Sequence, residues 1–333
     1  MATEMELRRV LKGEQARLLA LPNVVGVGIG RKRVGNSTTS DLSLVVMVEQ
    51  KLPLSALAAE SVVPKQIAGV PTDVVEVGKV CSLAGLAKAR QTQYPDLPLP
   101  DRKARWRPAS PGVSMGHVKI TAGTFGAVVV DRKTQKPLLL SNNHVFANSS
   151  GASGRQRTAR KGDPILQPGP IDGGTGEDTM AKLERFIPLK MLENKRVSVK
   201  DLVETSPPNF VDAAVARPLD SGEIKAPIWA IGTPQGTTEA KLGMRVQKSG
   251  RTTGHSWGNV ELLEMAVQVD YGQGRVATFQ GQIGLSAMSQ GGDSGSLVLD
   301  EEKRAVGLLF AGSPFITICS PIEQVLELLK VEL

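Results

Sequence analysis

From about Gly112 onward the chain is cut into short runs of β-branched and apolar residues, and this constrains its fold more than any other feature. Thr124–Val130, Leu138–Leu140, Val211–Ala216, Met244–Lys248, Val276–Gly281, Ser296–Leu299, Ala305–Phe310 and Phe315–Cys319 are separated by Gly, Pro, Asn and Asp. Runs this short do not make packed helices, and the turn residues between them reverse the chain, so the pattern predicts an all-β sandwich or barrel. One helix closes the sequence, with Ser320 as its cap and Pro321 in its first turn; Ile322, Val325, Leu326, Leu328 and Leu329 form its apolar face. A β domain over 113–333 is long enough to bury roughly 70% of its unfolded surface.

The first 80 residues read differently. Leu7, Val10, Leu11, Leu18 and Leu19 recur at helical spacing up to Pro22, and Val24–Gly30 and Leu42–Gln50 read as two antiparallel strands around a polar loop. Pro53–Glu60 suits a short helix and Thr72–Val77 a third strand, which together predict a small α+β module over 1–80. Gly26, Gly28 and Gly30 are no phosphate-binding loop, because no helix follows them. Between the two units, 81–112 is predicted to be a solvated basic linker. It carries Lys88, Arg90, Arg102, Lys103, Arg105 and Arg107 against Asp96 and Asp101, with Pro95, Pro98, Pro100 and Pro108. Whether the module inhibits, assists folding or docks a partner is open at this level.

Composition narrows the class. The 333 residues are 41% hydrophobic and 22% charged, enough for a core, and no apolar run approaches the roughly 18 residues of a membrane span. The first residues, MATEMELRRVLKGEQ, have no secretory h-region. Cys81 and Cys319 are too few for a disulfide framework or a four-ligand zinc site, so the expectation is a cytoplasmic protein with reduced thiols, no metal and no cofactor. A net charge of +7 leaves a nucleic-acid binder as a minor reading, but 4% aromatic residues are too sparse for base stacking. The loop Gly162–Gly176 lacks the spacing of an EF-hand.

Three segments carry chemistry. His144 follows an apolar strand in SNNHVFAN, Asp212 interrupts the apolar NFVDAAVA, and Ser294 lies in GGDSGS just before Leu297–Leu299. A lone carboxylate in an apolar strand is costly unless paired. Acyl transfer needs these residue types: a hydroxyl nucleophile, an imidazole to take its proton, and a buried acid to orient the imidazole. It also needs backbone N–H groups aimed at the oxyanion, on a loop that glycines allow to turn sharply. His117 and His255 have no metal-type spacing and read as structural or surface residues.

In this order, the motifs resemble those of trypsin-like (chymotrypsin-fold) serine proteases. Ser249–Val260 (SGRTTGHSWGNV) and GDSGS are similar to bacterial alpha-lytic-type enzymes. SNNHVFA, VDAAVA and GGDSGSLV resemble a bacterial group with an extra N-terminal module. The resemblance implies a double β-barrel, with the site between two six-stranded halves. It makes His144 the general base, Asp212 its orienting acid and Ser294 the nucleophile, with Gly292 and Ser294 as oxyanion-hole donors. It also implies a substrate-binding wall of Met288, Gln290, Phe310, Ala311 and Gly312. The sequence departs from the common pattern at Ser296, and Asp293 needs a partner that the motifs do not name.

Met288 stands six residues before Ser294, where the resemblance puts an acidic selector for basic substrates; a thioether there implies an apolar P1 residue. The expected activity is serine endopeptidase cleavage of a protein or peptide substrate through an acyl-enzyme. The alternative is a catalytically weak scaffold on the same fold. No membrane partner is expected, and oligomerisation is left open.

Overall fold

The computed structural model describes residues 2–35, 37–83, 101–152, 154–156, 158–193 and 208–333. Helix α1 (Glu4–Leu19) starts at a capping box in which Thr3 Oγ1 accepts from Glu6 N at 3.3 Å and Glu6 Oε2 accepts from Thr3 N at 2.8 Å. Its apolar stripe covers β1 (Val24–Val34) and β2 (Ser37–Val48), an antiparallel hairpin longer than expected because the polar stretch between the two apolar runs is itself strand. Pro53–Glu60 forms two single 3-10 turns instead of a helix. The chain continues through β3 (Gln66–Ile67), β4 (Val70–Glu76), which is parallel to β2, and β5 (Cys81–Ser82).

The first half of the β domain holds β6 (Ser114–His117), β7 (Gly123–Thr124), β8 (Ala127–Asp131), β9 (Pro137–Ser141), the one-turn helix α2 (Asn143–Phe146), β10 (Pro164–Leu166) and β11 (Thr179–Phe186). Then come β12 (Leu192–Glu193) and β13 (Ala214–Pro218). The second half holds β14 (Arg245–Gly250), β15 (Gly254–Asp270), β16 (Arg275–Ser286), β17 (Leu297–Asp300), β18 (Ala305–Gly312) and β19 (Ile316–Pro321). Helix α3 (Ile322–Leu329) and β20 (Val331–Glu332) end the chain.

Strands β14, β15, β16, β19, β18 and β17 pair in a ring, which closes a six-stranded barrel. The first half is an eight-stranded sheet in the order β20-β8-β9-β13-β11-β10-β6-β7. The architecture is mainly β, a closed six-stranded barrel beside an eight-stranded sheet in place of two six-stranded halves, consistent with a chymotrypsin-like double β-barrel with a C-terminal helix. Ala127, Val129 and Leu138 of the first sheet pack against Leu297, Leu308 and Val325 of the second half, so the seam between the halves is itself a core. Ser320 does not cap α3. It lies in β19 and donates to Gln282 Oε1 at 2.9 Å, while Pro321 takes the cap position without a side-chain bond.

Strand β15 runs for 17 residues, and its outer half also pairs with β1: Gly26 opposes Val267 and Gly30 opposes Leu262. The alternating glycines allow this. A Cβ on Gly28 would sit 2.9 Å from Met265 Cγ, and one on Gly30 would sit 2.5 Å from Leu262 Cδ2. Val27 and Ile29, on the opposite face, enter the α1 core. The N-terminal unit therefore shares a sheet with the second barrel.

The solvated linker expected over 81–112 is corrected in both described parts. Cys81–Ser82 pairs with β15 and β18. Beyond it, Arg102 is buried, Trp106 meets Trp229 edge-on at 4.8 Å, and Arg105 and Arg107 pair with Asp178 at 3.0 Å and Glu223 at 3.3 Å. Basic residues that looked solvated in sequence find acids far along the chain. Residues 84–100, including Lys88, Arg90 and most of the prolines, lie outside the described residues. No helix among the described residues is long and apolar enough to cross a membrane, and Cys81 and Cys319 are both free thiols.

Candidate active site

His144 sits on α2 rather than at a strand end, and both asparagines before it explain its placement. Asn143 Nδ2 donates to Ser150 O at 2.9 Å and Ile187 O at 2.7 Å, and Asn142 Nδ2 donates to Asp212 O at 2.7 Å. Val145 and Phe146 anchor the same turn in the first-barrel core. Asp212 lies two residues before β13 rather than inside it, fully buried. Its Oδ1 accepts from His144 N at 3.1 Å, and its Oδ2 lies 2.6 Å from His144 Nδ1. With an ionised carboxylate there, Nδ1 is the donor and Nε2 is left as the basic nitrogen. Nε2 is buried and has no hydrogen-bond partner among the described residues.

A second donor reaches the same carboxylate. Tyr271, in the turn after β15, donates its hydroxyl to Asp212 Oδ2 at 2.6 Å. Burial and the neighbouring Asp212 push the phenol well above its ordinary range, so it stays a neutral donor. Its role is not legible in the sequence. A lone tyrosine before Gly-Gln-Gly carries no signal of a partner 59 residues away.

Ser294 occupies a turn fixed on every side. Gly292 has φ +97 and Gly295 φ +92, a region that side chains with a Cβ rarely enter, and a Cβ on Gly295 would collide with the Ser141 hydroxyl. Thr124 N donates to Ser294 O at 2.8 Å, and Gly295 N donates to Leu309 O at 2.8 Å. Ser296, the departure from the common motif, bonds back to the turn through Oγ to Asp293 O at 2.6 Å. The His144 and Ser294 segments meet at Gly123, where a Cβ would touch Val145 Cγ2 at 2.5 Å and Ser294 O at 3.1 Å. The Ser294 hydroxyl points to Phe310 O at 3.5 Å, so its bond to Nε2 is not made in this state.

Asp293 finds its partner in Lys248, at 3.2 Å; both side chains are 0% exposed. Its carboxylate also accepts from Thr252 N at 2.9 Å, Thr253 N at 3.1 Å, Thr253 Oγ1 at 2.7 Å and Gln290 N at 2.9 Å. Burial alone would raise this acid, but the Lys248 charge and these donors outweigh it and hold it below the usual carboxylate range. Lys248 is lowered by burial, against the pull of Asp293. Nearby, Arg251 forks onto Asp172 at 2.6 and 2.5 Å, which ties the SGRTTG loop to the first barrel.

No family model matches the chain, and no curated protein sequence matches it. Solved structures similar in fold include Thermobifida fusca Protease A, at a TM-score of 0.45 and 17% identity, covering 67% of this chain and 98% of that one. Nocardiopsis protease aligns at 0.45 and 16%, covering 67% and 98%. A glutamic acid-specific serine protease aligns at 0.46 and 17%, covering 68% and 100%.

The expected substrate wall is only partly side chain. Met288 is buried in the second-barrel core beside Leu285, and its N–H donates to Thr317 Oγ1 at 3.1 Å. Gln290 is tied through its N–H to Asp293. Phe310 is the correction: strand alternation turns its ring away to pack on Phe279 at 4.7 Å, leaving its carbonyl toward Ser294. Ala311 and Gly312 pair with Ser82 and Cys81, and Gly292 N donates to Leu83 O at 3.1 Å. His117 is not a surface residue; it is fully buried and bonds Asp163 at 3.1 Å through Nε2. His255 is half-buried against Gln247 Oε1 at 3.0 Å. Among the described residues, no group of three or more His, Cys, Asp or Glu could hold a metal.

Proposed function

We propose that this protein is a serine endopeptidase that cleaves peptide bonds through an acyl-enzyme on Ser294, with a preference for an apolar P1 residue. The observation that carries the reading is the buried His144–Asp212 pair, whose free nitrogen Nε2 has no partner among the described residues, set beside the Gly292–Gly295 turn. In the reaction, Ser294 Oγ attacks the substrate carbonyl carbon as Nε2 takes the hydroxyl proton. Asp212, with Tyr271 behind it, stabilises the imidazolium, and the N–H groups of Gly292 and Ser294 hold the oxyanion. Nε2 then gives the proton to the leaving amine, and water hydrolyses the ester.

Met288 supports the apolar preference, because a basic P1 side chain beside it would bury an unpaired charge. A weak scaffold is the second reading, and the orientation of the Ser294 hydroxyl toward Phe310 O favours it. Peptide hydrolysis separates the two. Ser294→Ala is expected to lower turnover by on the order of 10⁶. Leu or Met substrates should exceed Arg substrates by more than about tenfold in kcat/KM, roughly 1.4 kcal/mol. Equal turnover in Ser294→Ala overturns the first reading, and a preference for Arg overturns the pocket assignment.

A further inference from the structure

The N–H assigned to the oxyanion hole at Gly292 belongs to a peptide unit with glycine on both sides, Gly291 and Gly292. Such a unit turns over about its two flanking torsions at little steric cost, because neither residue carries a Cβ. Its N–H and C=O point opposite ways across the trans peptide plane, so turning it over would present the carbonyl where the N–H is needed. The structure holds one orientation. Gly292 N points away from the turn and donates to Leu83 O at 3.1 Å. On the other side of the same peptide, Thr252 Oγ1 donates to Gly291 O at 2.6 Å. One hydroxyl therefore fixes the carbonyl end of the peptide whose N–H would receive the oxyanion.

Thr252 is itself held from the first barrel. Arg251 Nη1 donates to Thr252 Oγ1 at 3.0 Å, which leaves the hydroxyl proton for Gly291 O. Arg251 is fixed by its fork onto Asp172, whose Oδ2 also accepts from Ser114 Oγ at 2.6 Å. The Arg251 and Asp172 side chains are 12% and 6% exposed, so little water competes for these bonds. Thr124 Oγ1 accepts from Arg251 N at 3.0 Å and donates to Gly292 O at 2.9 Å, which holds the next carbonyl of the turn as well. The turn packs directly on both side chains: a Cβ on Gly292 would lie 2.5 Å from Thr252 Oγ1 and 2.6 Å from Arg251 Nη1.

We infer that Thr252 is a positioning residue of the oxyanion hole: its hydroxyl, oriented by Arg251 and Asp172, locks the Gly291–Gly292 peptide with the Gly292 N–H turned toward the developing oxyanion. This rests on the endopeptidase reading and deepens it, naming what keeps a Gly-Gly peptide in its working orientation. Thr252 acts through that one backbone amide and bonds to neither Ser294 nor His144. An oxyanion-hole donor serves the tetrahedral state more than the bound substrate, so loss of the lock should fall on kcat and leave KM nearly unchanged.

The test uses the full chain as wild type and three variants. Thr252→Val keeps the shape and deletes the hydroxyl, Thr252→Ser keeps the hydroxyl, and Arg251→Lys keeps a charge beside Asp172 but removes the planar fork. Each is assayed on a peptide substrate with an apolar P1 residue, and with the peptide aldehyde of the same sequence, whose hemiacetal on Ser294 places an oxyanion in the hole. Thr252→Val is expected to lower kcat by at least about tenfold with KM within about twofold, and to weaken the aldehyde by a similar factor. Thr252→Ser should recover most of both losses, and Arg251→Lys should shift both quantities in the same direction by less. Wild-type kcat and aldehyde affinity in Thr252→Val overturn the inference. So does a loss that falls on KM instead, or one that Thr252→Ser does not recover. If Thr252→Val does not fold, Arg251→Lys decides by the same two measurements, and wild-type values for both overturn the inference. Where wild type hydrolyses the substrate and takes a fluorophosphonate label on Ser294, such results remove this inference alone. If wild type neither hydrolyses nor labels, the endopeptidase reading falls with it.

Discussion

Replacing Lys248 by Met removes one charge of a pair with no access to water and leaves Asp293 behind as an uncompensated buried carboxylate. Breaking a buried pair from one side costs about 3–5 kcal/mol. Three backbone N–H groups and the Thr253 hydroxyl still serve Asp293, so the lower end, about 3 kcal/mol, is expected. At roughly 2–4 °C per kcal/mol for a protein of this size, the melting temperature should fall by about 6–12 °C. Removing both charges in Lys248→Met/Asp293→Asn should recover part of the loss, because no buried charge is then left alone. Urea unfolding followed by fluorescence measures all three chains, with Arg17→Gln as a control. Arg17 pairs with Glu14 at 2.6 Å on the exposed face of α1, and such pairs contribute at most about 1 kcal/mol. A cost for Lys248→Met no greater than that of Arg17→Gln, or a double variant less stable than the single one, would show that Lys248 does not compensate a buried Asp293 charge.

Tyr271→Phe deletes a hydrogen bond to a charged acceptor, worth about 1.5–3 kcal/mol, and should lower kcat/KM by about tenfold or more; unchanged kinetics would show that the phenol does not hold Asp212. Asp212→Asn should cost about 10⁴ in kcat through the wrong imidazole tautomer, and a loss below about tenfold would argue against its orienting role. Burial holds His117 below the ordinary histidine range, and burial with Arg102 and Lys248 nearby does the same for His255. The unfolded chain therefore takes up these protons first, near pH 6.5, and stability should fall as pH drops below that value. Asp131, held at about 2 chiefly by the Thr134 N–H with help from Arg185, adds a further loss from about pH 4 down to 2. Urea midpoints that stay level from pH 7.5 to 5.5 would contradict the histidine part.

What could be read from the sequence follows the range of the interactions involved. His144, Asp212 and Ser294 each sit in a short motif bounded by turns; the structure brings the first two into contact, and the His144 and Ser294 segments meet at Gly123. Most short apolar runs became strands for the same local reason. Strand β15 escaped notice because Glu261, Glu264 and Gln268 interrupt its apolar residues, and its pairing changes from β14 to β16 and β1 along its length. Lys248 looked like an ordinary strand lysine, since nothing local marks a lysine that is buried only once the Asp293 turn closes over it. The segment after Val80 was misread on composition. Its role depends on Phe310–Gly312, more than 200 residues away, and no local pattern encodes that pairing.

The central claim is that Ser294, activated by His144 and Asp212, is the nucleophile of this protein. Its most direct test is prolonged incubation with a fluorophosphonate, followed by intact mass and peptide mapping of wild type, Ser294→Ala and His144→Ala. One adduct per chain, mapped to Ser294, absent from Ser294→Ala and slowed at least about a hundredfold in His144→Ala, is the result predicted by a hydroxyl activated by its general base. An adduct that persists in Ser294→Ala, or no adduct in wild type, would contradict it.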